Sequence, residues 1–139
     1  MPLPITIRAI RPEDTYPLRH AVLWPDRPLE YVRIEEDNEG FHFGAFHEEQ
    51  LLGVVSLFVN GEAARFRKFA VEPSCQRQGI GTRLLTHVMQ QAQQQGARTI
   101  ACDAGLEATG LYRKFGMTQV GPEFYKGPIA YVRTQKALP

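Results

Sequence analysis

The sequence predicts an α/β protein, or α+β by a stricter definition, in which helices flank one mixed sheet. Three observations support this class. The pair Asn60-Gly61 between two apolar strand patterns indicates an antiparallel hairpin. An amphipathic helix pattern then begins at Ile80, and Gly96 marks its end. A short apolar run at residues 99–103 follows and predicts a buried strand, parallel to the strand before the helix.

The first half of the chain is predicted to hold most of the strands. The alternating pattern of residues 5–10 predicts the first of them. A turn at residues 11–14 leads into a helix at residues 16–22, and a short second helix is predicted at residues 29–34. The other strands of this half are predicted at residues 41–46, 51–59 and 63–71.

The second half contains the long helix, whose apolar stripe consists of Ile80, Leu84, Leu85, Val88 and Ala92. A further helix is predicted at residues 107–115, ended by Gly116. Two short strands follow, at residues 118–120 and 129–134. A length of 139 residues suits one hydrophobic core, so we expect a single domain over residues 1–139.

Composition argues against several classes of function. The formal net charge is +1, so neither nucleic acid nor an anionic membrane is expected as a partner. No apolar run approaches the roughly 20 residues that a membrane-spanning helix needs. Cys75 and Cys102 have no zinc-type spacing, so no metal is expected. The first 14 residues lack the apolar core of a signal peptide, so a cytoplasmic location is expected.

A glycine-containing turn at the start of the long helix has the properties of an anion site. Glycine lets the backbone approach a ligand closely, and the first N–H groups of a helix have no intrahelical partner. The alternative interpretation is a tight turn with incidental glycines. The residues of the turn are Gln76, Arg77, Gln78, Gly79, Ile80, Gly81 and Thr82. The basic residues around it, in a nearly neutral chain, are Arg65, Arg67, Lys68, Arg77 and Arg83.

The two common nucleotide-binding patterns do not fit this turn. The Walker A pattern GxxxxGK[ST] is absent from the chain. In the dinucleotide pattern GxGxxG, the position of the third glycine is occupied by Leu84. A nucleotide-binding protein is therefore kept only as a distant alternative, which a titration of ATP against CoA would test.

The turn resembles the acyl-CoA-binding motif of the GNAT superfamily of N-acyltransferases, (Q/R)-x-x-G-x-(G/A), which stands here as QRQGIG at residues 76–81. Upstream, KFAVEP at residues 68–73 is similar to the strand with a terminal Val-x-Pro that precedes this motif. Downstream, ATGLYRKFGM at residues 108–117 resembles the second motif of the family, A-x-x-(F/L)-Y-x-K-x-G-F. Two motifs in register make the resemblance specific over nearly the whole chain.

The resemblance implies a mostly antiparallel sheet with one splayed parallel strand pair. It implies that acetyl-CoA is a co-substrate, whose pantetheine arm pairs with the backbone of Phe69, Ala70 and Val71, and whose pyrophosphate binds at residues 76–82. It implies that Tyr112 protonates the departing thiolate. The implied reaction is direct attack by a primary amine of a small molecule or peptide, in a protein that could be a homodimer.

No covalent enzyme intermediate is implied, so neither Cys75 nor Cys102 needs a nucleophilic role. The resemblance is weakest where the acceptor amine must lose its proton, because the strand at residues 63–71 has no interior carboxylate. We therefore predict a water-relayed route rather than one dedicated base. Gly105 stands where the second motif often has an asparagine. The candidate bases, none of which stands out, are His42, Glu62, Glu72 and Asp103.

Two further points stay open in the sequence. Arg19 either faces the substrate cleft and pairs with an acidic acceptor, or is a surface or structural arginine. Trp24 and the aromatic run at residues 41–43 are predicted to lie in the core. The missing strand carboxylate also keeps a second function open, a CoA-binding sensor or interaction module without catalysis. Release of thiol from acetyl-CoA in the presence of amines would distinguish the two functions.

Overall fold

In a computed structural model, which describes residues 4–139, the chain forms a seven-stranded sheet with the order β1-β2-β3-β4-β5-β7-β6. Residues 1–3, part of the stretch behind the signal-peptide expectation, lie outside the described residues. The strands are β1 Thr6–Ile10, β2 Phe41–His47, β3 Gln50–Asn60, β4 Ala63–Val71, β5 Thr99–Gly105, β6 Thr118–Lys126 and β7 Ile129–Ala137. The α-helices are α1 Pro12–Leu18, α2 Ile80–Gln94 and α3 Thr109–Lys114. Short 3-10 turns lie at Leu29–Val32, Glu35–Glu39, Pro73–Cys75 and Leu106–Ala108.

Neighbouring strands are antiparallel except for β4 and β5. These two run parallel and pair over three residues, the last pair being Arg65 with Ala101. Beyond this point β4 continues to Val71 and β5 to Gly105 without further pairing, which shows that the two strands diverge. The predicted fold class, with its splayed parallel pair, is confirmed.

Helix α2 covers one face of the sheet. Its predicted apolar stripe is fully buried: Ile80, Leu84, Leu85, Val88 and Ala92. The stripe belongs to the same buried cluster as Val55 and Leu57 of β3, and each buried valine, leucine or isoleucine contributes about 1.5–3 kcal/mol. On the opposite face, Leu18 of α1 packs against Val54 and Ala70. Within residues 4–139, no helix is both long and apolar enough to cross a bilayer.

Helix α1 begins at Pro12, so the turn predicted at residues 11–14 is wrong. Proline at the first helical position loses nothing, because that N–H has no intrahelical partner. The carboxylate of Asp14 reaches back and accepts a hydrogen bond from the backbone N–H of Arg11 at 3.0 Å, which fixes the start. After Leu18 the helix widens into a π-helical turn, Arg19–Leu23.

The C-terminal hairpin is longer than the sequence predicts. Strand β6 is an edge strand and almost all of its residues are exposed. An exposed strand does not show the apolar alternation by which strands are predicted. The pairing of β6 with β7 also shifts register between Val120 and Phe124, where Gly121 and Pro122 interrupt the ladder. For these reasons the strand predicted at residues 118–120 is shorter than β6, which continues to Lys126.

Candidate active site

The start of α2 presents a row of free backbone donors. Gly79 is the N-cap residue with a φ of +83°, and Arg77 has a φ of +65°. The first helical hydrogen bond runs from the N–H of Arg83 to the carbonyl of Gly79, at 3.1 Å. Within the described residues, the N–H groups of residues 77–82 find no acceptor in the protein. The helix dipole adds positive charge at the same point, so the turn can hold an anion.

The two glycines of this turn serve different purposes. A Cβ atom on Gly79 would meet nothing within 4 Å, so this glycine is needed for its left-handed conformation and leaves open space above the donors. A Cβ atom on Gly81 would lie 2.9 Å from Cζ of Phe69, so this glycine lets α2 approach β4 closely. The side-chain amide of Gln76 donates to the carbonyl of Val71 at 3.1 Å and ties the turn to the strand end.

Strand β4 changes shape beside this turn. Its register against β3 shifts between the pairs Val54 with Ala70 and Ser56 with Arg67, which leaves an extra residue on β4. Lys68 lies in this bulge with a φ of +56°, a left-handed conformation that is unusual for lysine. Because β5 has already diverged, the edge of β4 that faces β5 is free to pair with an extended ligand.

A cleft of about 310 Å³ occupies the gap between β4 and β5. Its walls include Phe66 and Phe69 of β4, and Tyr112 of α3. Side chains from the segment after α1 and from the β6–β7 hairpin reach the same cleft; they include Trp24, Lys126 and Tyr131. Of the predicted site residues, Phe69 and Tyr112 line the cleft, and the α2 turn adjoins it through the close approach of Gly81 to Phe69.

Tyr112 is buried, with 7% of its surface exposed. Its ring packs edge-on against Phe66 at a centroid distance of 5.5 Å and lies 6.5 Å from the ring of Phe69. Its hydroxyl makes no hydrogen bond within the described residues. Burial, and to a smaller extent the neighbouring acidic groups of Cys102 and Glu107, raises the pKa of Tyr112 well above its ordinary 10.0. The phenol therefore stays protonated and can donate.

Asp103, a candidate base in the sequence, is an ionised carboxylate whose charge is already balanced by cationic side chains. Its carboxylate accepts hydrogen bonds from Arg133 at 2.5 Å, Arg65 at 2.8 Å and Lys126 at 3.4 Å. Burial opposes ionisation, but the hydrogen bond from Arg133 and the surrounding positive charges hold the pKa of Asp103 below its ordinary value. A carboxylate held in this way is a poor proton acceptor.

His42 and Arg19 belong to a buried polar cluster between β2, β3 and the segment that follows α1. The ring nitrogens of His42 contact Oγ of Ser56 and the carbonyl of Asp37, each at 2.7 Å. Arg19 is 0% exposed and donates to both carboxylate oxygens of Asp37 at 2.9 Å. Arg19 is therefore a structural arginine and does not face the cleft, and His42 has no free nitrogen for an acceptor amine.

The thiols give no sign of a nucleophile. Burial raises the pKa of the Cys102 thiol to about 11, so it remains protonated near neutral pH. Cys75 is half-buried in the short 3-10 turn after β4. Glu62, another candidate base, forms an exposed pair with Arg98.

Several residues of the cleft were missed in the sequence. Trp24, predicted to be core, is half-buried and lines the cleft. Lys68 and Glu107 also line it, and no local pattern assigns them to a cleft because they come from separate elements. Phe41, also predicted to be core, is 40% exposed, since it begins its strand. Only the pairing of the strands brings these cleft residues together.

Fold and site together define a class of protein. A glycine turn with free N–H groups suits a phosphate-bearing cofactor, the open edge of β4 suits its extended arm, and the cleft leads to a buried tyrosine. This arrangement is that of an acyl-CoA-dependent transferase.

The comparisons with known proteins give the family. The family model described as the Acetyltransferase (GNAT) family matches residues 7–117, and the chain belongs to this family. The uncharacterized N-acetyltransferase YitI of Bacillus subtilis (strain 168) is 30% identical over 129 residues, which are 86% of this chain and 87% of that protein. The protein is therefore an acyltransferase of the GNAT type.

Solved structures share the fold at low sequence identity. A Lactobacillus plantarum protein classed as an N-acetyltransferase has a TM-score of 0.87 at 17% identity, covering 97% of this chain and 99% of its own. A GNAT family acetyltransferase from Elizabethkingia anophelis with acetyl-CoA bound has a TM-score of 0.75 at 20% identity, covering 96% of this chain and 98% of its own.

Proposed function

We propose that the protein transfers the acetyl group of acetyl-CoA to a primary amine of a small molecule or peptide. The observation that carries this proposal is the row of free N–H groups at residues 77–82 beside the open edge of β4. Tyr112 is the proposed general acid. The proposed cofactor-binding residues are Phe69, Ala70, Val71, Gln76, Arg77, Gln78, Gly79, Ile80, Gly81 and Thr82.

The residues of the chain divide the work between binding and proton transfer. The amides of the α2 turn hold the pyrophosphate, and the backbone of β4 aligns the pantetheine arm along the gap. When bound, acetyl-CoA supplies a thioester, on which the amine nitrogen forms a C–N bond as the C–S bond breaks. Tyr112 gives its proton to the departing sulfur, and the proton that the amine loses goes to water.

Family membership favours an enzyme over a binding module without catalysis. The decisive assay mixes the protein with acetyl-CoA and a panel of primary amines and measures the release of free thiol. Amine-dependent release that disappears in heat-denatured protein supports the proposal. A blank across the panel, with acetyl-CoA still bound, would favour the module instead.

Substituting Gly81 by valine should weaken CoA binding by about tenfold or more, the size of one lost charge-assisted contact. The added methyl groups would meet the ring of Phe69 and push α2 away from β4. Calorimetric titration with CoA measures the effect, and circular dichroism checks the fold. Gly110→Val is the matched control, since a Cβ atom on Gly110 meets nothing within 4 Å. Undiminished affinity in a folded Gly81→Val protein would contradict this site.

The rate of transfer should rise with pH as free amine accumulates, because an aliphatic ammonium has a pKa near 10. Asp103 and His42 are occupied, so the remaining carboxylates near the site are Glu72, at the end of β4, and Glu107, in the cleft. We expect Glu72→Gln and Glu107→Gln each to keep most of the wild-type kcat. A pH–rate series on both variants is the measurement. Loss of the chemical step in one variant alone would reveal a dedicated base.

A further inference from the structure

A lysine in the cleft has no anionic partner. Lys68 lines the cleft, and no carboxylate within residues 4–139 forms a salt bridge with it. Its close partner is the ring of Trp24, whose centroid lies 4.1 Å from Nζ. The left-handed bulge holds the residue in a conformation that costs on the order of 1–3 kcal/mol. The fold thus keeps an unpaired cation at a strained position.

The charged neighbours of Lys68 are also positive. They are Arg65 and Arg67 on β4, Lys126 on β6 and Arg19 after α1. Burial, followed by these charges, lowers the pKa of Lys68 to about 8. Of the nearby carboxylates, Glu36 pairs with Arg67 and Asp103 pairs with three cations, while Glu107, which also lines the cleft, is outnumbered by the positive side chains. Positive charge at this wall of the cleft is therefore in excess.

Lys126 approaches the cleft from the opposite wall. Its ammonium lies 4.8 Å from the ring centroid of Tyr131 and shares Asp103 with two arginines. Its side chain is 49% exposed, so it can turn toward a ligand. The phosphates of CoA already have donors at the start of α2. The two lysines are thus available to the second substrate.

We propose that the acceptor of this enzyme carries an anionic group, a carboxylate or a phosphate, that pairs with Lys68 and Lys126 in the cleft beside Tyr112. This inference rests on the proposed acetyl transfer to an amine. The amine end of the acceptor lies toward Tyr112, and the aromatic rings of Trp24 and Tyr131 flank the chain between the two ends.

Matched amines test the proposal by turnover. Phosphoethanolamine is compared with ethanolamine, and 4-aminobutyrate with n-butylamine, by thiol release from acetyl-CoA. The anionic member of at least one pair should have the higher kcat/KM, by about tenfold or more, as expected for a charge-assisted hydrogen bond. The pair that shows the preference tells phosphate from carboxylate. A preference for the neutral member in both pairs would overturn the proposal.

Variants of the two lysines test the assignment of residues. Lys68→Met and Lys126→Met should each lower kcat/KM for the anionic amine about tenfold more than kcat/KM for its neutral counterpart, and so remove most of the preference. Lys114→Met is the matched control. Lys114 is exposed, does not line this cleft and forms no ion pair within the described residues. Lys126→Met replaces a half-exposed side chain and keeps the test usable if Lys68→Met does not fold. An equal loss for both amines of a pair would contradict the assignment.

A binding measurement separates this proposal from the proposed function. Trp24 is the chain's one tryptophan, and its ring contacts Lys68, so its fluorescence reports on an anion there. With CoA saturating, titration with phosphoethanolamine and with 4-aminobutyrate should give a saturable change for at least one, about tenfold weaker in Lys68→Met. No change with either anion would overturn the anion site. If the fluorescence change is present but no amine of the panel releases thiol, the result counts against the proposed acetyl transfer and not against the anion site.

Discussion

Tyr112→Phe should lower kcat by about 10²–10⁴-fold, the usual contribution of a positioned general acid. The phenol lines the cleft between β4 and β5, and burial raises its pKa, so it stays protonated. Phenylalanine keeps the edge-on packing against Phe66 but has no proton for the departing sulfur. Steady-state thiol release measures kcat, and calorimetry should show nearly unchanged affinity for acetyl-CoA.

A second tyrosine provides the control for this experiment. Tyr125 on β6 is 67% exposed, and Tyr125→Phe should leave kcat unchanged. Because the pKa of Tyr112 is raised, its protonated form persists as pH rises, and the wild-type rate should not fall from loss of this proton below pH ~10. An unchanged kcat in Tyr112→Phe, with pre-steady-state kinetics showing that chemistry limits turnover, would assign Tyr112 to packing alone.

Arg19→Met should lower the free energy of unfolding by about 3–5 kcal/mol, the cost of leaving a buried charge without its partner. The guanidinium is fully buried, donates to both oxygens of Asp37, and also donates to Oγ of Ser56 and the carbonyl of Val32. Methionine fills similar space and satisfies none of these acceptors. Urea denaturation followed by circular dichroism is the measurement.

Two further variants sharpen this test. Arg11→Met removes an exposed ion pair with Asp14, which solvent screens, and should therefore cost much less than Arg19→Met. The double variant Arg19→Met with Asp37→Leu should recover much of the loss, because no buried charge is left uncompensated. A single-variant cost no larger than that of Arg11→Met would show that the buried pair contributes little.

The same pair makes folding sensitive to acid. Burial opposes ionisation of Asp37, but hydrogen bonds from Arg19 and from the N–H of Ile34 hold the pKa of Asp37 below its ordinary 3.8. The pKa is therefore lower in the folded protein than in the unfolded chain. Its contribution to stability is complete above pH ~4 and is lost as pH falls through the folded value. Arg19→Met should lack this part of the acid transition.

The features that the sequence determined are local ones. The apolar stripe of α2 and its end at Gly96 follow from helical periodicity and from one glycine with a φ of +92°. The turn at residues 76–82 is marked by glycines whose conformations depend on a few neighbours. The parallel arrangement of β4 and β5 follows from the helix between them. The family motifs lie on these same segments, so fold class and family could both be predicted.

The tertiary structure alone decided which polar groups are free to act. Asp103 and His42 were reasonable candidate bases from the sequence. In the folded chain, Asp103 accepts hydrogen bonds from three cationic side chains, and both ring nitrogens of His42 have partners in the core. The structural role of Arg19 could not be predicted, because its buried partner Asp37 lies 18 positions away in the sequence. Lys68 lies in the bulge that β4 forms against β3, and this bulge is not visible in the local sequence. The physical reason is that charge pairing and burial depend on residues distant along the chain, which local patterns do not record.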